Sequence, residues 1–484
     1  MDLKIEKIDW LFIFMSLIVG IMAEESFFRG QIGISYIAFV VVLYSIVFYR
    51  FRSNTFSHQR FGYLVLICIW LLAISYYLFD TELFHVLNII AIPALVIFHL
   101  TLITSPQKTA WNNLSFIFHA VRRLFGGIGY SGRFIKYLTS RMKQRTNKKH
   151  YDVWMKVLIG VIISVPILFI ILTLLISADS QFERLIGNIP TLLTVRADYI
   201  IRFFIILFSA FIFFGFMEVL SRKKAYHIQE NAKPIVMDGI ITLTILVLLD
   251  LVYLLFVVVQ FKYFFSGTLE GDFTYAEYAR RGFFELLFAT LINLSVTTAV
   301  IQFTKNVQGA LKKVISTALT ILVLSSGVLL ISAFMRLTMY ENAYGFTITR
   351  VLAHSFMIFL MIIFAYTLLK IWLEKLSLFH FYFIASLIYY VGMNVVNLNK
   401  IVVDQNINRF EQTGKIDVHY LNSLSATGVI GLIDLYEIDP HVPELEEVLK
   451  QRKEDRSFIK GDTWQSENFI RNKAYERLSD LKFK

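Results

Sequence analysis

Long apolar runs broken by short charged stretches set the pattern of this chain. A helix crosses the hydrocarbon layer with about 20 predominantly apolar residues, because its backbone polar groups must be satisfied within the segment. About eleven runs meet that requirement, near residues 9–23, 33–50, 61–79, 84–104, 153–176, 199–220, 237–259, 281–303, 312–335, 347–372 and 378–397. Strand-like alternation with regularly spaced turns is absent, which sets aside a β-barrel. The expectation is an all-α polytopic transmembrane bundle of about eleven spans with a small helical C-terminal module. Four regions follow: a four-span block over 1–104, a basic segment over 105–152, a seven-span core over 153–399 and a polar tail over 400–484. In the tail, "GKIDVHYLNSLSATGVIGLIDLYE" reads as two short helices and Pro440 and Pro443 break the next stretch. "PELEEVLKQRKED" then reads as a solvated helix, and "TWQSENFIRNKAYERL" carries Trp464, Phe469, Ala474 and Leu478 as an apolar stripe.

Composition agrees with this pattern. Hydrophobic residues make up 56% and aromatics 16% of 484 positions, more apolar surface than one soluble core buries. The formal charge of +11 points to a membrane surface rather than nucleic acid, because the basic residues collect in alternate loops. Arg50, Arg52 and Arg60 come first, then ten basic residues between Lys108 and Lys149. Arg222, Lys223, Lys224 and Lys233 follow, then Lys305, Lys312, Lys313, Lys370 and Lys375. Basic loops stay in the cytoplasm. The N-terminus is therefore expected inside, and the tail on the outer side of the membrane. Lys4, Lys7 and Ala23 resemble the parts of a secretory signal, but Ile21 is a poor residue near a cleavage point and further spans follow. Cys68 is the only cysteine, so it has no partner within the chain and is read as packing.

The segment "WNNLSFIFHAVRRLFGGIGYSGRFIKYLTSRMKQRTNKK" interleaves Phe116, Phe118, Val121 and Phe125 with basic residues. This suits a helix in the headgroup layer, attracted by anionic lipid at the cytoplasmic face. Gly127, Gly129 and Gly132 spell GxGxxG. Without a preceding strand or a later acidic residue this is read as a flexible turn, not a dinucleotide site.

Candidate chemistry gathers at the outer ends of the spans. In "TYAEYARRGFFELL", Glu277, Arg281 and Glu285 are spaced i, i+4, i+8 with Arg280 beside them. That spacing makes an ion-pair ladder, yet Glu285 falls about one turn inside the hydrocarbon boundary, where an ionisable group is costly unless it faces protein or water. "LLISADSQFERL" adds Asp179, Glu183 and Arg184. "SAFMRLTMYENAYGFTITRVLAHSF" adds Arg336, Tyr340, Tyr344, Arg350 and His354, while Arg202, Glu24 and Glu25 reach the same level. Arginine suits paired-donor recognition of phosphate or carboxylate. For single members, packing for His354, helix capping for Asp179 and a membrane-interface role for the tyrosines are equally natural readings. Asp250, near the middle of its span, is a candidate for proton coupling, with Tyr253 one turn on. No metal-ligand spacing, cofactor cradle or soluble-enzyme nucleophile motif is present.

At "LISADSQFERL", "TYAEYARRGFFELL", "MRLTMYENAYGFTITR", "GKIDVHYLNSLS" and "TWQSENFIRNKAYERL" the chain resembles the bacterial membrane proteins grouped as domain of unknown function 4173, from about residue 150 to the end. The resemblance implies a bacterial polytopic protein with Asp179, Arg280, Arg281, Glu285, Arg336 and Arg350 as characteristic residues, and it brings no catalytic residue. Glu467 and the first four spans depart from the pattern. The leading expectation is binding, with or without translocation, of an anionic or lipid-linked ligand in an outward arginine-rich pocket. In it Arg280, Arg281, Arg336 and Arg350 hold the ligand, and Glu285 and Asp179 position them. The alternatives are a signalling or scaffold component, whose outer tail senses while the basic cytoplasmic loop engages partners, and a lipid-linked group transferase with Glu24 or Glu25 as base.

Overall fold

The computed structural model describes residues 7–109, 111–145, 191–221, 237–266, 283–304, 306–455 and 463–483, with six isolated positions between 157 and 175. Among the described residues, eleven helices precede the tail: α1 Lys7–Phe28, α2 Ile34–Arg50, α3 Gln59–Leu78, α4 Glu82–Thr104, α5 Leu114–Arg145, α6 Thr191–Ser221, α7 Gly239–Ser266, α8 Phe283–Phe303, α9 Gly309–Tyr344, α10 Ile348–Trp372 and α11 Leu378–Val395. The tail adds α12 Leu398–Thr413, α13 Val418–Asn422, α14 Ser425–Ile438, α15 Leu445–Glu454 and α16 Phe469–Asp480. No strand occurs among the described residues.

Nine of these helices are long and apolar enough to cross a membrane, and α2, at 17 residues, is a shorter apolar helix. Ten of the eleven expected spans thus have a described helix at their place; the run at 153–176 lies almost entirely outside the described residues. The ninth run is longer than expected. Nothing in it breaks a helix before Gly345, whose φ of 86° ends α9, so the helix runs 36 residues, or roughly 54 Å at 1.5 Å per residue. Arg336 and Tyr340 therefore lie on its last two turns, not in a connection.

Two apolar cores fill the bundle. Helices α1–α4 share one with α5, α6 and α11, around Val40, Ile69, Leu72, Leu102, Met217 and Val391. Helices α7–α10 share the other, around Leu246, Leu322, Leu330 and Leu360. The tail has a third core, including Val402, Leu421, Leu432, Leu435 and Leu445, against which Phe346, Ile348 and Val351 of the α9–α10 turn also pack.

The segment expected to lie in the headgroup layer forms α5, and its GxGxxG is helical rather than a turn. The reason is close packing. Gly127 lies against the backbone of Phe216, where a Cβ would come within 2.7 Å, and Ser131 Oγ donates to the Phe211 carbonyl at 2.6 Å. Small residues allow two backbones this proximity. Phe116, Ala120 and Phe134 are buried on that side, while Phe118, Val121, Phe125 and Ile128 are exposed on the other.

All tail contacts fall at one end of the spans, here the tail end. Ile34 N–H donates to the Glu467 carbonyl at 3.1 Å. Gln31 N–H donates to Ser466 Oγ at 3.0 Å, and Asn468 Nδ2 donates to the carbonyls of Tyr76 and Phe79 at 2.9 and 2.8 Å. Gly33 sits directly against the Glu467 carbonyl. The Glu467 side chain, a departure from the resembled pattern, accepts from Asn472 Nδ2 at 3.0 Å across the first turn of α16. The opposite end carries Arg50, held by Glu218 at 2.7 Å, and Lys312, paired with Glu374.

Candidate functional site

The polar site nearest to expectation is built by the end of α9 and the start of α10. Thr347 caps α10, its hydroxyl accepting from Arg350 N–H at 3.4 Å. One turn in, the Arg350 guanidinium folds back to donate to the Gly345 carbonyl, and its centre lies 4.2 Å from the Tyr340 ring centroid, a cation–π contact. The tail fixes this turn. Phe346 N–H donates to Asn406 Oδ1 at 3.1 Å and its carbonyl accepts from Asn406 Nδ2 at 2.9 Å. Ile348 N–H donates to the Tyr420 hydroxyl at 2.9 Å.

Below this turn, Arg336 is buried and Nη2 donates to Gln260 Oε1 of α7 at 3.4 Å. The same oxygen accepts from Ser332 Oγ at 2.9 Å. On another face of α9, Glu341 is buried and its Oε2 lies 3.0 Å from His354 Nε2. That nitrogen makes no aligned hydrogen bond, so the contact is a charge-pair approach, strong only when the imidazole is protonated. Glu341 Oε1 has no hydrogen-bond partner, and the His354 ring meets Phe334 edge-on at 4.3 Å.

A family model for a domain of unknown function, DUF4153, matches residues 66–435, more than three quarters of the chain. The chain belongs to the DUF4153 family. The match runs from α3 through most of α14 and so includes both polar clusters of α9 and α10. The family shown is this one and not domain 4173; both are domains of unknown function, and the description names no activity. No curated protein and no solved structure matches.

In this DUF4153 chain, Arg350 meets the Tyr340 ring at the tail end, while Arg336 turns to Gln260 and His354 to Glu341, so the four residues make separate contacts. Glu285 does not join them. It is exposed on α8, whose buried face is instead Phe283, Leu286, Thr290, Asn293 and Thr297. Asp179, Arg280 and Arg281 lie outside the described residues, as does the ladder that Arg281 would complete. Asp250 sits apart on α7. Glu24, 1% exposed, is approached by Arg29 at 3.4 Å and Arg202 at 3.7 Å, and Glu25 by Arg29 at 2.9 Å and Gln465 Nε2 at 2.7 Å. Both acids are thus engaged in holding helix ends and tail together, which leaves neither poised as a free base.

Three functional-looking residues escaped sequence reasoning. Glu341 sits inside "MYENAY" and reads as surface until α9 is known to continue to Tyr344. Gln260 lies at the end of an apolar run, where only its uncharged polarity marked it. Asp80 looks like a turn residue, yet it is almost fully buried and accepts from Thr427 N–H at 2.9 Å, Thr427 Oγ1 at 2.7 Å and Asn399 Nδ2 at 3.3 Å. Its three-residue setting between α3 and α4 carried no signal of a partner some 350 positions later.

Proposed function

We propose that this integral membrane protein binds an anionic headgroup, free or lipid-borne, at the tail-end turn between α9 and α10, with Arg350 as the principal receptor. One observation carries the reading. The Arg350 guanidinium is oriented by the Gly345 carbonyl and the Tyr340 ring, and among the described residues no carboxylate is paired with it. A guanidinium has five N–H donors in a fixed fork; a carbonyl and an aromatic face leave most of them for a ligand, while the ring removes water from one side. Arg336 lies two turns deeper and reinforces the positive potential, and Glu341 with its open Oε1 offers an acceptor to a headgroup hydroxyl. The basic loops at the opposite end favour the tail end as the extracytoplasmic one.

The test is native mass spectrometry and lipid extraction of protein purified in mild detergent. Arg350→Ala should lose the co-purifying anionic species and Arg350→Lys should keep a reduced share, since an ammonium retains charge but not the paired geometry. Identical lipid and small-anion content in wild type and Arg350→Ala, with both proteins folded, would remove the basis for this reading.

A further inference from the structure

Asp250 occupies the middle of α7 and is only 6% exposed, yet among the described residues its Oδ1 has no hydrogen-bond partner. It lines a groove of about 420 Å³ between α7 and α9. The other walls are aliphatic, including Val247, Leu251, Val314 and Ala318, except for Thr317 and Lys313. The two helices run parallel, since Gly239 lies beside Val307 and Leu311 while Gln260 lies beside Ser332. The groove thus extends from Lys313, near the basic end of α9, to the depth of Asp250.

We propose that this groove is a proton-binding site in which Asp250 takes up and releases the proton. An ionised carboxylate without a partner is strongly disfavoured among aliphatic side chains, so the resting form is the neutral acid. Asp250 borders the groove while its Oδ1 is shut from solvent and meets no neighbouring donor, so no hydrogen bond at that oxygen holds the acid proton in place. Release passes the proton to water entering at the Lys313 end, and the carboxylate formed is stabilised by the Lys313 ammonium along the groove. The other ionisable groups on these two helices whose side chains are described are Tyr253 one turn along α7, Lys312, already paired with Glu374, and Arg336, Tyr340, Glu341 and Tyr344 beyond Gln260. None of them occupies the groove wall between Lys313 and Asp250. This site stands apart from the Arg350 turn and does not depend on it.

Dicyclohexylcarbodiimide, a membrane-soluble reagent that adds to protonated carboxyl groups, tests the proposal on the full chain in lipid nanodiscs, with peptide mass spectrometry as readout. The Asp250 peptide should carry at least about tenfold more adduct than that of exposed Glu374, and the yield should fall roughly tenfold per pH unit above the acid's pKa. Leu251→Trp and Val314→Trp, both at exposed groove positions, should reduce the adduct severalfold, and Asp250→Asn should abolish it. Adduct at Asp250 no greater than at Glu374, a yield flat with pH, or unchanged labelling in the tryptophan variants would each overturn the proposal. The wild-type comparison needs no variant to fold.

Discussion

Asp80→Ala should release the front of the tail from the bundle. Helix α14 begins after Leu424, which has no side-chain acceptor for the first-turn amides. Asp80, from the turn between α3 and α4, supplies the cap from outside: one oxygen takes the Thr427 N–H, and the other takes the Thr427 hydroxyl and the Asn399 amide. A hydrogen bond to a charged group contributes about 1.5–3 kcal/mol, and an unsatisfied buried donor costs about 1–3 kcal/mol. The helix N-terminus adds up to ~1 kcal/mol for an anion. These overlap, and breaking a buried charged contact typically costs about 3–5 kcal/mol in all. Taking ~3 kcal/mol, and ~1.4 kcal/mol per tenfold, amides in the first turns of α14 should exchange with deuterium on the order of 100-fold faster in Asp80→Ala. Asp80→Asn, which keeps an acceptor and loses the charge, should lie between, and Thr427→Val should cost about 1–2 kcal/mol. Arg471 provides a second readout. Burial lowers its pKa while Asp80 and Glu82 oppose that, so loss of Asp80 lowers it further. Native-state hydrogen exchange with α10 amides as internal reference makes the measurement. A change under about threefold in α14, or an equal change in α10, would refute the capping argument.

Two further expectations follow from the same geometry. Gly215→Leu should lower the melting temperature in nanodiscs by the equivalent of about 1–3 kcal/mol, because its Cβ would collide with Ser131 Oγ and the Gly127 carbonyl, whereas Gly129→Ala, with nothing within 4 Å, should be neutral or slightly stabilising; equal losses at both positions would show that α5 and α6 do not cross there. In a Cys68→Ser background, Lys415→Cys in the tail should react with an impermeant maleimide on intact cells and Lys375→Cys only after permeabilisation, and the reverse pattern would invert the proposed sidedness.

The spans were legible because they rest on one strong physical requirement, apolar length, and most described helices begin and end within a few residues of the runs, although α6 starts eight residues early and α7 ends seven residues late. The end of α9 was not, because "RLTMYENAY" is polar enough to read as a loop. Yet no residue in it stops a helix before Gly345, and α9 continues to Tyr344. Spacing pairs Arg336 with Tyr340 and Arg350 with His354, since i, i+4 neighbours share a face whatever the fold, but it could not show that Arg350 meets Tyr340 while Arg336 turns to Gln260 and His354 to Glu341. Glu285 could not be aimed that way, because which face of α8 turns inward depends on where α9 lies: the small and polar Thr290, Asn293 and Thr297 face the bundle and turn Glu285 out. GxGxxG misled for a similar reason. Glycine signals a turn when nothing covers it and a helix crossing when a backbone does, and Gly215, the residue that decides between them, is some ninety positions away.

The cores on either side of α11 are joined in two ways, which a double-mutant cycle can separate. Towards α4, Asn88 Nδ2 donates to Asn394 Oδ1 at 2.7 Å, the Tyr390 hydroxyl donates to Asn88 Oδ1 at 2.6 Å, and Asn394 Nδ2 donates back to the Tyr390 carbonyl at 2.8 Å. Towards α10, α11 offers stacking, Tyr389 on Phe359 and Phe381 on Tyr366 at 4.6 and 3.7 Å between centroids, and separate hydroxyl bonds, Ser355 with Tyr389 at 2.9 Å and Thr367 with Tyr382 at 2.5 Å. Directional bonds in an apolar setting fix a register, and interhelical ones contribute on average about 0.6 kcal/mol and up to ~1.7 kcal/mol. Either Asn88→Leu or Asn394→Leu alone strands the other amide, so each single change should cost more than its bond. The double change should then cost less than the two together, with a coupling of about 1–2 kcal/mol. Additive losses would mean that the amides are bonded elsewhere in the membrane, and that α11 is held to α4 by shape alone.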